Sequence, residues 1–162
     1  GSPFIYYGEE IGLKGSRGSA NTDANRRLAM LWGDGDTVAN PEGSSYEESK
    51  QTTATVESMK ADSGSLYTYY KRLLMIRAAN PEISRGECRA LSLADKMGGF
   101  VFTWEGKSLM VLHNTTQRTL TLDLSTAGEE GFSEITAAVG TGTATLEGTV
   151  LTLEGQTSAL LR

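Results

Sequence analysis

The run Pro3-Phe4-Ile5-Tyr6-Tyr7-Gly8 places four apolar or aromatic residues side by side and offers no polar face. A strand of that composition normally lies inside a parallel sheet covered on both sides. The sequence therefore predicts a buried strand over 3–8, halted by Gly8 and the adjacent acids Glu9 and Glu10. No later segment supplies a matching sheet. The expectation is the last piece of a larger assembly, with two unequal parts following it.

Residues 13–64 read as a long loop, dense in Gly, Ser, Thr, Asn and Asp, with one firmer island at Arg26-Arg27-Leu28-Ala29-Met30-Leu31-Trp32. Connections of this length tend to be functional or disordered. Over 65–79 the pattern changes. Leu66, Tyr69, Tyr70, Leu73, Leu74 and the aliphatic stem of Arg77 recur at spacings of three and four, which predicts a one-sided helix. Asp62 or Ser63 is the expected cap at its start, and Pro81 stops it while moving Asn80 out of the helical region. On this reading Tyr69 and Tyr70 belong to the packed stripe and only Tyr67 faces out.

Past Pro81 the period becomes two. Phe100, Phe102 and Trp104 share one strand face, expected to be the core face; Leu109, Val111 and His113 share another; Leu120, Leu122 and Leu124 share a third. Turn signals at Gly98-Gly99, Glu105-Gly106, Asn114-Thr115, 128–131, 140–142 and Glu147-Gly148 divide 86–162 into about eight short strands. The fold class is mainly β, a small antiparallel sandwich behind a strand-loop-helix segment.

Twenty acidic against fifteen basic residues give a formal charge of -5, which argues against a nucleic-acid surface. No apolar run approaches the ~20 residues of a membrane-spanning helix, so no membrane partner is expected. The single Cys88 excludes an internal disulfide and a thiolate metal cluster, and leaves the compartment open. Cys88 reads as a small buried residue, since no pattern offers it a base. One histidine, His113, reads as a satisfied sandwich residue; no metal and no cofactor are expected.

Three features together resemble the α-amylase family of glycoside hydrolases. Gly1, Pro3, Ile5, Gly8 and Glu10 fit the Gly-x-Pro-x-Ile-x-x-Gly-x-Glu motif of that family's last barrel strand. Asp23, Asn25 and Arg27, then Met30 and Trp32, fit its Asp-x-Asn-x-Arg and Met-x-Trp loop, with Ala29 where the family usually has Pro. Ser65 to Pro81 looks like the eighth barrel helix with its Asn-Pro ending. The resemblance implies that 1–85 is the C-terminal remnant of a (β/α)8 barrel, with strand 3–8, loop 13–64 and helix 65–79. It implies that 86–162 is the C-terminal Greek-key β-sandwich domain.

The implied parent enzyme hydrolyses or transfers α-glucosidic bonds in starch-like or malto-oligosaccharide substrates. Its catalytic acids come from three earlier strands that have no counterpart here, so no catalytic residue is assigned and this chain alone is expected to be an inactive scaffold. Retaining glycosidases need two carboxyls roughly 5–5.5 Å apart, and one strand end does not assemble them. Glu9 and Glu10, adjacent on a strand, would point to opposite sides; both read as structural. By resemblance Arg27, with Asp23, lines the pocket for the first glucose in the intact enzyme. The plainer alternative is a loop staple between residues four apart. Two rival functions remain: a carbohydrate-binding sandwich, for which few exposed aromatics are available, and a repurposed interaction domain that self-associates through the uncovered strand and helix.

Overall fold

The computed structural model describes residues 2–15, 23–45, 48–93 and 97–162. The chain divides into two compact units, Gly1–Arg72 and Leu73–Arg162, and the division falls inside a helix. Gly1, the first position of the strand motif, lies outside the described residues.

In the first unit the expected strand over 3–8 does not form: Pro3 to Tyr6 carry no regular structure and Tyr7-Gly8 begin a turn. Strand geometry is held by ladder hydrogen bonds to a neighbour, and every strand among the described residues lies beyond Arg72. Gly8 instead takes φ +88°, a left-handed conformation that glycine adopts without a Cβ penalty, and its carbonyl accepts from Ile11 N and from Leu13 N at 2.8 Å. Glu9–Ile11 is a single 3-10 turn. Ile11, fully buried, then packs with Met30 and Val56 under Leu13, Leu31 and Met59.

The predicted loop over 13–64 is not wholly irregular. Short 3-10 turns occupy Asp23–Arg26 and Glu48–Lys50, and helix α1 spans Val56–Ala61. Helix α1 is set by a reciprocal capping box: Thr55 Oγ1 accepts from Ser58 N at 3.1 Å while Thr55 N donates to Ser58 Oγ at 2.9 Å. The signal was local, Thr-Val-Glu-Ser, but the polar flanks hid it. Part of the loop, 16–22 and 46–47, lies outside the described residues.

Helix α2, Leu66–Ala79, follows the predicted periodicity and stops before Pro81. Its cap is Ser65, whose Oγ accepts from Thr68 N at 3.1 Å, rather than Asp62 or Ser63; Asp62 serves the preceding turn by accepting from Gly64 N. The expected buried stripe is corrected more strongly. No residue of α2 is buried, Tyr69 is 40 % exposed, and Tyr67 is half-buried beneath Lys60 Nζ at 5.8 Å from its ring centroid. Amphipathic spacing fixes which residues share a face; full burial needs a layer across it, and Leu66, Tyr69 and Leu73 each keep more than a third of their surface exposed.

In the second unit the short helix α3, Pro81–Arg85, leads into eight strands: β1 Glu87–Leu91, β2 Met97–Trp104, β3 Lys107–Asn114, β4 Leu120–Asp123, β5 Ile135–Gly140, β6 Ala144–Glu147, β7 Val150–Leu153 and β8 Thr157–Leu161. They form two antiparallel sheets, ordered β1-β2-β3-β8-β5 and β4-β7-β6. The core between them contains Met97, Val101, Met110, Leu112, Leu124, Leu151, Leu153, Ala159 and Leu161. A second cluster, Leu109, Val111 and Leu160, packs with Ile76, Ile83, Phe102 and Ala137.

The larger sheet thus carries a buried cluster on each side, and Phe100, Phe102 and Trp104 lie on the face opposite the sandwich core. Met97, Gly99 and Val101 take the inner side. A Cβ at Gly99 would stand 2.5 Å from Leu112 Cδ2 and 2.7 Å from Val111 O, so only glycine fits there. Phe100 is exposed and Trp104 lies against the Arg85 guanidinium, 5.3 Å from its ring centroid. Cys88 is exposed on edge strand β1, not buried. His113 is half-buried and satisfied as expected: its Nδ1 is 2.7 Å from Ser158 Oγ, and burial holds its pKa below the usual histidine value.

Candidate functional site

Asp23 starts a 3-10 turn whose next residues, Ala24 and Asn25, are buried, while Arg26 and Arg27 stand out into solvent. Arg27 N–H donates to Ala24 O at 3.2 Å, which turns the chain back so that the arginine side chain reaches its own turn. Arg27 Nη2 meets Asp23 Oδ2 at 2.8 Å, and Arg26 Nη1 lies 3.6 Å from the other oxygen. The staple predicted from the four-residue spacing is present. All three side chains are more than half exposed, so the pairs contribute little to stability but offer guanidinium N–H groups and a carboxylate to the surroundings.

Three long-range contacts fix the backbone around these charges. Asn25, fully buried, accepts from Ser45 N at 2.7 Å through Oδ1 and donates to Ser45 Oγ at 3.1 Å through Nδ2. Tyr7 Oη donates to Leu28 O at 2.9 Å. Asn40 Oδ1 accepts from Ala29 N at 2.9 Å. Tyr7 also meets Tyr6 in a tilted contact, with ring centroids 4.7 Å apart and planes at 45°. Burial raises the Tyr7 phenol's pKa, the neighbouring Tyr6 adds to the rise, and the positive charge of Arg27 opposes it.

Met30 is buried in the small core with Ile11 and Val56, whereas Trp32, its partner in the Met-x-Trp pattern, is 55 % exposed. Trp32 N donates to Asp36 Oδ2 at 2.8 Å, and this bond with that from Val38 N holds the Asp36 carboxyl below its usual pKa. Pro3 and Ile5 are exposed. Glu9 Oε2 accepts from Tyr70 Oη at 3.4 Å, and burial together with that carboxylate raises the Tyr70 phenol's pKa. Glu10 is half-buried, and its Oε2 is shut off from water with no hydrogen-bond partner among the described residues.

The structure therefore brings Asp23, Asn25 and Arg27 together and carries Met30 and Trp32 on the segment that follows. The residues missed by sequence reasoning are Tyr7, Asn40 and Ser45, which anchor that turn from 11 to 21 residues away. Only the aromatic character of Tyr7 was visible, and it pointed to a strand. Among the described residues no group of three or more His, Cys, Asp or Glu side chains is placed to hold a metal ion, and no helix is long and apolar enough to cross a membrane.

Residues 1–86 match the family described as alpha amylase, catalytic domain. The chain belongs to the α-amylase family. Alpha-amylase SusG of Bacteroides thetaiotaomicron is 32 % identical over 122 residues, which cover 70 % of this chain and 17 % of that protein. A cyclomaltodextrinase of Thermoanaerobacter pseudethanolicus is 28 % identical over 118 residues, covering 73 % of this chain and 15 % of its own length. Among solved structures, Eubacterium rectale Amy13B superposes with a TM-score of 0.83 at 29 % identity over 99 % of this chain and 31 % of that one. The chain thus spans less than a third of each of these α-amylase-family relatives, and its β-rich second unit is part of the likeness to Amy13B.

Proposed function

We propose that this chain serves as scaffold and substrate-side loop of a retaining α-glycoside hydrolase that acts on α-glucosidic bonds in starch-like glucans or malto-oligosaccharides. Residues 1–85 act as the barrel portion and 86–162 as the accompanying sandwich. The reading is carried by one observation: within the segment matching the catalytic domain, Asp23 and Arg27 form an exposed ion pair on a pinned turn. Guanidinium N–H groups can donate to neutral hydroxyls and carboxylate oxygens can accept from them, and both keep free donor or acceptor capacity while paired with each other. Arg27 would donate to the sugar bound in the pocket while Asp23 fixes the orientation of the guanidinium. The starch- and maltodextrin-directed names of the relatives support the substrate class.

Catalysis by this polypeptide alone is not part of the reading. A complete barrel takes ~250 residues and draws its reacting groups from the ends of several strands, against 162 residues here. Purified chain incubated with amylose should release no reducing sugar, and release at an enzymatic rate would refute the scaffold assignment. In a full-length enzyme carrying this sequence, Arg27→Ala should weaken malto-oligosaccharide binding by ~10-fold or more, the cost of about 1.5–3 kcal/mol for losing a hydrogen bond to a charged group. Unchanged affinity would remove Arg27 from the pocket.

A further inference from the structure

We propose that Tyr7 is a positioning residue for Arg27, holding the exposed Asp23–Arg27 pair in a fixed place by tethering the backbone on the arginine's C-terminal side. The proposal rests on the reading of Arg27 as a substrate-binding group and adds to it the device that presents the group. Arg26 and Arg27 form a two-residue exposed crest between the buried Asn25 and the buried Leu28. Exposed residues in a turn this short ordinarily sample several backbone states, because little packs against them. Here the flanks are fastened. On the N-terminal side Asn25 is locked to Ser45 by two hydrogen bonds; on the C-terminal side Leu28 O is taken by Tyr7 Oη at 2.9 Å and Ala29 N by Asn40 Oδ1.

Tyr7 differs from the other two anchors. Asn25 and Asn40 act within the segment 23–45, whereas the phenol comes from the Tyr6-Tyr7 pair ahead of the Gly8 turn, 21 residues away in sequence. It adds a directional hydrogen bond to the apolar packing of Ile11 on Met30 that also joins the motif segment to the residues after the arginine turn. The phenol senses the arginine electrostatically as well, since the charge of Arg27 is among the influences on its ionisation. Leu28 is already buried, so the hydroxyl is not needed to keep the side chain inside. What the bond adds is direction: Tyr7 at its carbonyl and Asn40 at its N–H hold the two ends of the Leu28–Ala29 peptide plane, which limits the rotations of Leu28 through which Arg27 could swing.

The test needs no sugar, so its failure and failure of the substrate reading are separable. Tyr7→Phe removes only the hydroxyl. Backbone amide relaxation measured by NMR on the whole 162-residue chain should give order parameters near ~0.85 at residues 26–29 in the native chain and below ~0.6 in Tyr7→Phe, the rigid and flexible ranges respectively. Amides of Leu109 to Leu112 should not change. Asn40→Ala, a second route to freeing the same side, should loosen Ala29 similarly. In the native chain the Tyr7 phenol should titrate higher after Arg27→Ala and return after Arg27→Lys, a response that a purely space-filling tyrosine lacks. Native values already in the flexible range, no loosening in Tyr7→Phe, or a phenol indifferent to Arg27→Ala would each overturn the proposal. Isothermal titration with maltotriose of the same substitutions placed in a full-length enzyme carrying this sequence then reports on the sugar site independently.

Discussion

Replacing Arg162 with Met should cost the second unit about 2–3 kcal/mol, because it strands a buried carboxylate. Glu82 is 2 % exposed at the first turn of α3, and its Oε1 accepts from Arg162 Nη1 at 2.8 Å. Arg162 Nη2 also donates to Asn80 Oδ1 at 2.9 Å, at the junction between α2 and α3. The second carboxylate oxygen of Glu82 is buried without a hydrogen-bond partner among the described residues. Removing the arginine leaves both oxygens bare. Breaking a fully buried pair costs ~3–5 kcal/mol. Since 34 % of the Arg162 side chain reaches water, solvent already weakens part of the attraction, and the lower figure follows. Urea unfolding followed by Trp104 fluorescence reads the second unit alone once Trp32, the other tryptophan, is replaced by Phe. With a slope of about 1.5 kcal/mol per molar urea, the midpoint should fall by about 1.5 M. Glu82→Leu added to Arg162→Met should recover most of the loss, because a hydrophobic pair of similar volume needs no desolvated charge. The difference between native and Arg162→Met proteins should also shrink on acidification. Arg162 holds the Glu82 carboxyl below its ordinary pKa, so its contribution is complete above about pH 4.3, the unfolded value, and disappears as pH falls through the lower folded value. A midpoint shift under ~0.3 M, given that slope, would refute this account of the contact.

Two smaller changes probe other parts of the chain. Thr55→Ala removes half of the α1 capping box and should lower helix stability by ~1 kcal/mol, seen as roughly fivefold faster hydrogen exchange at the Ser58 and Met59 amides; unchanged protection there would discount the cap. Burial keeps His113 neutral to lower pH than in the unfolded chain, so the unfolded state takes up the proton first. Stability should therefore decline as pH drops below ~6.5 and level off at the folded pKa. His113→Gln should flatten that part of the urea-midpoint profile, and an unaltered slope would show that other groups produce it.

Features encoded by neighbours in sequence were legible. Pro81 ended α2 where expected, and the Asp23–Arg27 spacing matched the staple. The predicted turn signals fell at strand ends or between strands, except Gly98-Gly99, which sits inside β2 paired to His113 and Leu112, where the side chain absent at Gly99 lets the strands pack closely. Features that depend on something opposite were not. The segment 3–8 has the composition of a strand, but a ladder needs two partners, and among the described residues no strand pairs with it. Leu66, Tyr69 and Leu73 are spaced as predicted, yet each is only partly covered. In β2 hydrophobicity misled because both sides are apolar; Gly99, the residue with no room for a side chain, marks the tightly packed side better than Phe100 does. The link from Tyr7 to Leu28 leaves no sequence trace, since a phenol that bonds a carbonyl 21 residues away resembles any other tyrosine.

Strand β3 sends Leu109 and Val111 to one hydrophobic cluster and Met110 and Leu112 to the other. It is a party wall between two rooms. Slack introduced on either side lets the wall lean, so damage in one room is felt next door, and the two interiors should stand or fall as one.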